Sequence, residues 1–289
     1  VGQQLGGVPP LLGDACSTVG HGREPRPGCG RSGSALGRAG LDRLVMGTIA
    51  DGLLPCAGVV PVEHVVGEVA DLTGRLVAFA EEHDLAVRGH TLVWGQAVGN
   101  GLPDWVAAID DLDELQAVID DHISTLVGRY AGRVDRWDVV NEPLESLGAA
   151  LDANHFLEVL GPDYIASAFE AAHRADPEAR LFLNEHSVEV VPAKADALVA
   201  LVEGLVADGV PIHVVGLQAH QFSGQPPEAG VLEALVRRFS DLGLDVAITE
   251  LDLPLSEDGD LAAQADTYAA VLQTLLNLEA PRRRNIFEV

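Results

Sequence analysis

Two glutamates in this chain stand where chemistry could be done. Glu142 closes the stretch "RWDVVNEP" (136–143), and Glu250 stands inside "DVAITELDLP" (245–254). Trp137, Val139 and Val140 in the first, and Val246, Ala247 and Ile248 in the second, favour a pleated, half-buried surface. Each apolar run then ends in a carboxylate. A single strand-end glutamate is readily explained as a salt bridge or a helix cap. Two of them, each followed by a proline-containing loop and accompanied by Asn, His, Gln and Trp, suggest a pair acting together. Paired carboxyls can hydrolyse glycosides. One protonates the leaving oxygen while the other attacks the anomeric carbon, and in the retaining form the two sit about 5–5.5 Å apart.

The elements that must hold such a pair follow a rhythm. Strands are predicted at 44–52 (with its loop), 86–94, 133–142, 180–185, 213–220 and 245–252. Helices alternate with them at 65–83, 112–130, 163–175, 194–209, 230–243 and 263–278. Val65, Val66, Val69, Leu72, Leu76 and Phe79 recur at helical spacing, as do Leu115, Val118, Ile119 and Leu126; Tyr268, Val271, Leu272 and Leu275 form an inward stripe. Alternation of this kind makes a parallel sheet, and strands apolar on both faces fit a sheet covered by helices or closed into a barrel. Polar residues gather at the strand ends: His90 and Trp94; Asn141 and Glu142; Asn184, Glu185 and His186; Gln218 and His220; Glu250 and Asp252. In a (β/α)8 TIM barrel all such ends meet round one mouth. An open dinucleotide-binding sheet would carry a glycine-rich loop after its first strand, and none is evident.

Composition excludes several partners. With 44 acidic against 18 basic residues the formal net charge is −26, which repels nucleic acid and anionic membranes. No apolar run reaches about 18 residues, so no membrane span is predicted. Cys16, Cys29 and Cys56 are odd in number and lack Cys-x-x-Cys spacing, which argues against a metal site and leaves one disulfide open. No cofactor is expected, and the chain reads as a monomer. Residues 1–43, rich in Gly, Arg, Pro and Ser, read as an irregular segment ahead of a barrel domain at 44–289. No basic-then-apolar leader follows Val1.

The segments "RGHTLVW", "WDVVNEP", "GLQAH" and "ITELDLP", in that order, resemble glycoside hydrolase family 10, the endo-β-1,4-xylanases, over residues from about 65 to about 280. The resemblance implies a secreted, retaining (β/α)8 enzyme acting on xylan. Carried over by position, Glu142 would be the general acid/base and Glu250 the nucleophile. His220 would contact Glu250 and be held by Asp252, although it also reads as a satisfied core histidine. Asn141 would bond the sugar 2-hydroxyl, and His90 and Gln218 would bind the sugar beside the scissile bond. Trp94 reads as a wall of that subsite or as a core tryptophan. Asn184, with Glu185 and His186, would make further substrate contacts. Trp137 and its valines are expected to keep Glu142 among apolar groups, and Trp105 in "LPDWV" is expected to pack.

The match breaks in two places. The family's second strand ends in a Thr-x-Glu-Asn-x-x-Lys-Trp pattern that has no counterpart here, and Lys194, the only lysine, starts a later helix. "RRNIFEV" (283–289) reads as the start of the eighth strand, without the Trp-Gly pair expected after it. The expectation is therefore an incomplete barrel in a fragment, a damaged gene product or a divergent member. An inactive or weakly active xylan-binding relative, and a retaining cellulase-type glycosidase, stand as alternatives.

Overall fold

Strand and helix alternate along the chain because apolar residues switch between the two periodicities that suit a covered parallel sheet. A computed structural model describes residues 48–50, 73–95, 102–220, 229–255 and 259–279. In order these are β1 (Thr48–Ala50), α1 (73–82), β2 (Arg88–Trp94), α2 (Asp104–Ala107), α3 (Leu112–Arg129), β3 (Arg136–Asn141) and α4 (His155–Leu160). Then follow α5 (Tyr164–Ala175), β4 (Arg180–Glu185), α6 (Pro192–Ala207), β5 (Val214–Leu217), α7 (Ala229–Asp241), β6 (Asp245–Ile248) and α8 (Leu261–Glu279). The irregular segment 1–43, its cysteines and the eighth strand expected at 283–289 lie outside the described residues.

Local chemistry sets the element ends. The Asp111 side chain accepts the Glu114 N–H at 2.9 Å and caps α3, and Asn154 caps α4 through the Leu157 N–H. Pro192 opens α6, where its missing N–H costs nothing. That helix stops before Gly209, whose φ of +79° an ordinary residue adopts at a cost.

The six strands form one parallel sheet in the order β1-β2-β3-β4-β5-β6. β1 pairs directly with β2, Thr48 opposite Arg88 and Ala50 opposite His90. The sheet is strongly curved. Arg88 on β2 donates from Nη2 to the carbonyl of Thr249, just past β6, at 3.1 Å. Four strand spacings on a flat sheet would put those residues about 19 Å apart, far beyond an arginine's reach, so the wall curves as a barrel wall does. Arg88 also faces Asp138 of β3 at 3.6 Å inside that curve.

Alternation along the strands splits the core in two. Leu181, Leu183, Val215, Leu217, Val246 and Ile248 join the main cluster with the helices. The opposite face of the same strands carries a small cluster of Phe182, Val214 and Ala247. Asn184, Gly216 and Thr249 continue that inner face toward the strand ends.

Two sequence expectations need correction. On α1, Thr73, Val77 and Ala80 are buried, whereas Leu76 and Phe79 are 49% and 44% exposed, so the helix presents a neighbouring face to the sheet. Trp105 does not pack. It is 58% exposed, because α2 is a single turn that buries only Val106. On α3, Leu115 and Ile119 are buried as read and Ile123 and Val127 complete the stripe, with Val118 and Leu126 at its margins.

Two glycines give opposite tests of this packing. A Cβ at Gly89 of β2 would land on the Trp137 ring, while one at Gly204, exposed within α6, meets nothing within 4 Å. Gly89→Ala should lower stability by about 1–3 kcal/mol through overpacking. Gly204→Ala should raise it by about 0.5–1 kcal/mol. Urea denaturation midpoints of the two variants check both signs.

Candidate active site

Parallel strands deliver their C-terminal ends to one rim, and the residues just past those ends meet there. Glu142 follows β3 with φ at +53°, and Ala219 follows β5 with φ at +58°. Non-glycine residues hold this left-handed conformation only when their surroundings impose it, at roughly 1–3 kcal/mol each. The Glu142 N–H donates to the Asn184 carbonyl at 2.9 Å, and the Glu250 N–H to the Gln218 carbonyl at 3.1 Å, so sheet pairing runs right up to both carboxylates.

The two glutamates are tied into one hydrogen-bonded chain. Gln218 Nε2 donates to Glu142 Oε1 at 2.9 Å and lies 3.4 Å from Asn141 Oδ1. Asn184 Nδ2 donates to the same Asn141 oxygen at 2.9 Å and to Glu250 Oε1 at 2.8 Å. Thr249 Oγ1 donates to Asn184 Oδ1 at 2.7 Å and fixes which way that amide points. Gly216 makes the arrangement possible, since a Cβ there would collide with the Asn184 side chain.

Each carboxylate has a further partner. Trp94 Nε1 donates to Glu142 Oε2 at 3.1 Å. Polar N–H groups therefore meet Glu142 where apolar surroundings were expected, because Trp94 reaches it from the end of β2 and Gln218 from beyond β5. On the other side, His220 Nε2 lies 3.3 Å from Glu250 Oε2, and its Nδ1 lies 3.0 Å from Asp252 Oδ2. A bridge between His220 and Asp252 extends the sheet one step beyond β5 and β6. His90 Nδ1 bonds Asp138 Oδ2 at 2.7 Å.

Asn184 and Gln218, expected to meet the sugar, are tied to the two glutamates. Asn184 is fully buried and Gln218 nearly so, and their N–H groups face the carboxylates and Asn141. Sequence reasoning also missed Asp138 and Arg88, although a buried aspartate amid the apolar β3 residues was a visible signal.

A second polar cluster lies behind the first. Lys194, which the sequence places at a helix start, is fully buried and pairs with Glu185 Oε1 at 2.9 Å. Its Nζ also donates to the Ser146 carbonyl at 3.2 Å and to His186 Nε2 at 3.3 Å. Burial pushes the Glu185 carboxyl up to about 7, against the pull of Lys194 and of the His186 and Leu144 N–H groups. Burial likewise raises Glu189, and it lowers His186, with Lys194 adding to that effect. Among the described residues no group of three or more His, Cys, Asp or Glu could hold a metal ion.

A curved parallel β/α wall with its polar groups gathered at the strand ends defines the barrel class in which sites sit at the C-terminal rim. Comparison with known proteins narrows this. The profile of glycosyl hydrolase family 10 matches residues 71–287, and the chain belongs to that family. Endo-1,4-beta-xylanase 2 of Claviceps purpurea is 40% identical over 194 residues, 67% of this chain and 57% of that protein. Among solved structures, native xylanase 10B of Thermotoga maritima superposes with a TM-score of 0.65 at 36% identity, over 71% of this chain and 63% of that one. Xylanase 10B of Thermotoga petrophila RKU-1, solved with xylobiose, gives 0.65 at 34% identity, over 71% and 62%. The chain spans about half the length of the curated relatives it matches. The fold class is the (β/α)8 barrel, of which the described residues supply six strands.

The Glu185 carboxyl carries a pH signature. Its folded value lies above the ordinary 4.5, so its contribution to stability is full below about 4.5 and is lost as pH rises through about 7. Glu185→Gln removes that titration. The stability difference between wild type and Glu185→Gln should change by about 3 kcal/mol across this window, with the wild type losing ground as pH rises. Urea unfolding at several pH values reads the slope, and a difference that stays flat contradicts the expectation.

Proposed function

We propose that this chain is a retaining glycoside hydrolase acting on xylan. One observation carries the reading: the strand-end glutamates Glu142 and Glu250 share a single hydrogen-bonded chain through Gln218, Asn141 and Asn184. Family membership and the xylanase relatives support it, and the xylobiose in a similar xylanase points to a xylose-based ligand.

In this reading Glu250 attacks the anomeric carbon while Glu142 gives its proton to the glycosidic oxygen. The C–O bond to the leaving sugar breaks and a glycosyl ester forms on Glu250. Glu142, now a carboxylate, takes a proton from water, which attacks the same carbon and frees Glu250. His220, held by Asp252, and Asn184 orient the nucleophile. Asn141 Oδ1 already accepts from Asn184 and Gln218, which leaves its N–H groups to meet a sugar hydroxyl. His90 uses Nδ1 on Asp138 and has Nε2 left for the sugar, beside Trp94. The substrate polymer is too large to enter a cell, so secretion accompanies the reading. Among the described residues no helix is long and apolar enough to cross a membrane.

A xylan-binding relative with weak turnover has one observation in its favour. β1 lies directly against β2, where the family's second strand would bring an Asn and a Lys to the sugar. Each lost donor costs roughly 0.5–3 kcal/mol depending on charge, and such contacts strengthen in the transition state. Turnover of an aryl xylobioside should then fall on the order of 10²-fold below that of a family member with the complete strand. Equal turnover removes this second reading.

Two variants separate the roles. Glu250→Ala should abolish hydrolysis of every glycoside, since no covalent intermediate can form. Glu142→Ala should still react with an activated aryl glycoside, whose leaving group needs no proton, and added azide should restore its slow second step. Identical behaviour of the two on that substrate would show the roles to be misassigned.

A further inference from the structure

Two buried carboxylates near the mouth take no part in that mechanism. Glu185 ends β4 and Glu189 lies four residues on, in the connection to α6; they are 0% and 4% exposed. Lys194, at 0%, is the cation beside them. Buried charges of this kind are costly unless each meets donors of fixed geometry. Their partners lie on the two flanking connections.

Glu185 Oε2 accepts the Leu144 N–H at 3.0 Å, two residues past Glu142. Its Oε1 takes the His186 N–H at 2.9 Å and the Lys194 ammonium at 2.9 Å. Lys194 reaches onward to the Ser146 carbonyl, so Leu144 and Ser146 are gripped together. On the other flank, Glu189 Oε1 accepts the Ala219 N–H at 3.1 Å. Ala219 is the left-handed residue between Gln218, which touches Glu142, and His220, which touches Glu250. The connection after β4 therefore holds one arm on the segment leaving Glu142 and another on the turn that aims His220.

We propose that Glu189 and the Glu185–Lys194 pair are positioning residues. Glu189 sets His220, and through it Glu250, by fixing the Ala219 peptide. The Glu185–Lys194 pair sets Glu142 by fixing Leu144 and Ser146. The left-handed backbone at Glu142 and Ala219 needs such external restraint, since neither residue prefers that conformation. The inference rests on the functional reading above for its kinetic arm only.

The test uses Glu189→Ala, Glu189→Gln, Glu189→Asp and Lys194→Met in the full chain. Their kcat/KM is measured on an activated aryl xylobioside and on an unactivated xylo-oligosaccharide. Glu189→Ala should lower kcat/KM on both substrates by about 10–10²-fold, as a misaimed group does. Glu189→Gln keeps an oxygen for the Ala219 N–H and should recover most of the loss. Lys194→Met should lower the value on the unactivated substrate at least about tenfold more than on the activated one, because the proton donor is what moves. Independently of turnover, the imidazole ¹⁵N signals of His220 should shift in Glu189→Ala and return in Glu189→Gln. If Glu189→Ala does not fold, Glu189→Asp decides, since shortening the arm should give the same shift. Variants that lose thermal stability but keep the His220 signals and the ratio between the two substrates overturn the proposal. A wild type inactive on every xyloside overturns the functional reading instead, while the His220 signals still decide this one.

Discussion

A carboxylate held partly away from water must be met by N–H donors, and the mouth of this barrel is organised round that need. Glu142 takes donors from Trp94 and Gln218, and Glu250 takes one from Asn184 with His220 beside it. Because Asn184 and Gln218 both also reach Asn141 Oδ1, the two carboxylates cannot be arranged independently. The chain of amides is what turns two strand-end acids into a single site. It depends in turn on Gly216, whose missing side chain leaves room for Asn184, and on Thr249, which fixes the amide's direction.

Barrel curvature makes those contacts available. Asn184 on β4 touches groups past β6 and on β3 at once, and Arg88 on β2 reaches the Thr249 carbonyl. Inner-face side chains grow more polar toward the rim. Phe182, Val214 and Ala247 fill the interior, and Asn184, Gly216 and Thr249 follow them. The apolar plug anchors the strands, and the polar rim inherits their spacing. Outside the sheet a second charged layer, Glu185 with Lys194 and then Glu189, reaches the turns on either side of β4. Strained backbone at Glu142 and Ala219 sits where these two layers meet.

Membership of the family fits the order in which these residues occur along the chain. β1 stands directly against β2. Glu142 is met from the end of β2 by Trp94 and from beyond β5 by Gln218, and Glu250 from β4 by Asn184 and from beyond β5 by His220.

Much of this was legible from the sequence alone, for a definite reason. Strand and helix periods are local, and in a parallel barrel every strand end points to one rim, so Glu142, Glu250, His220 and Asp252 could be assigned to a common mouth from their places in their own strands. Periodicity does not say which neighbouring element covers a face. Leu76 and Phe79 follow the helical period of α1, yet Thr73, Val77 and Ala80 are what the sheet covers. Trp105 is exposed because a one-turn helix has no room to bury it. Asn184 and Gln218 could be placed at strand ends from sequence, and only the curvature and register of the wall bring their amides onto the carboxylates. Lys194 reads from sequence only as the start of a helix, and the tertiary structure makes it the buried partner of Glu185. The sequence by itself determined the strands and the longer helices, their order and the residues at the strand ends, but not the short helices α2 and α4. The tertiary structure alone decided which of those residues touch, because contacts across the barrel depend on curvature and register, which no single element carries.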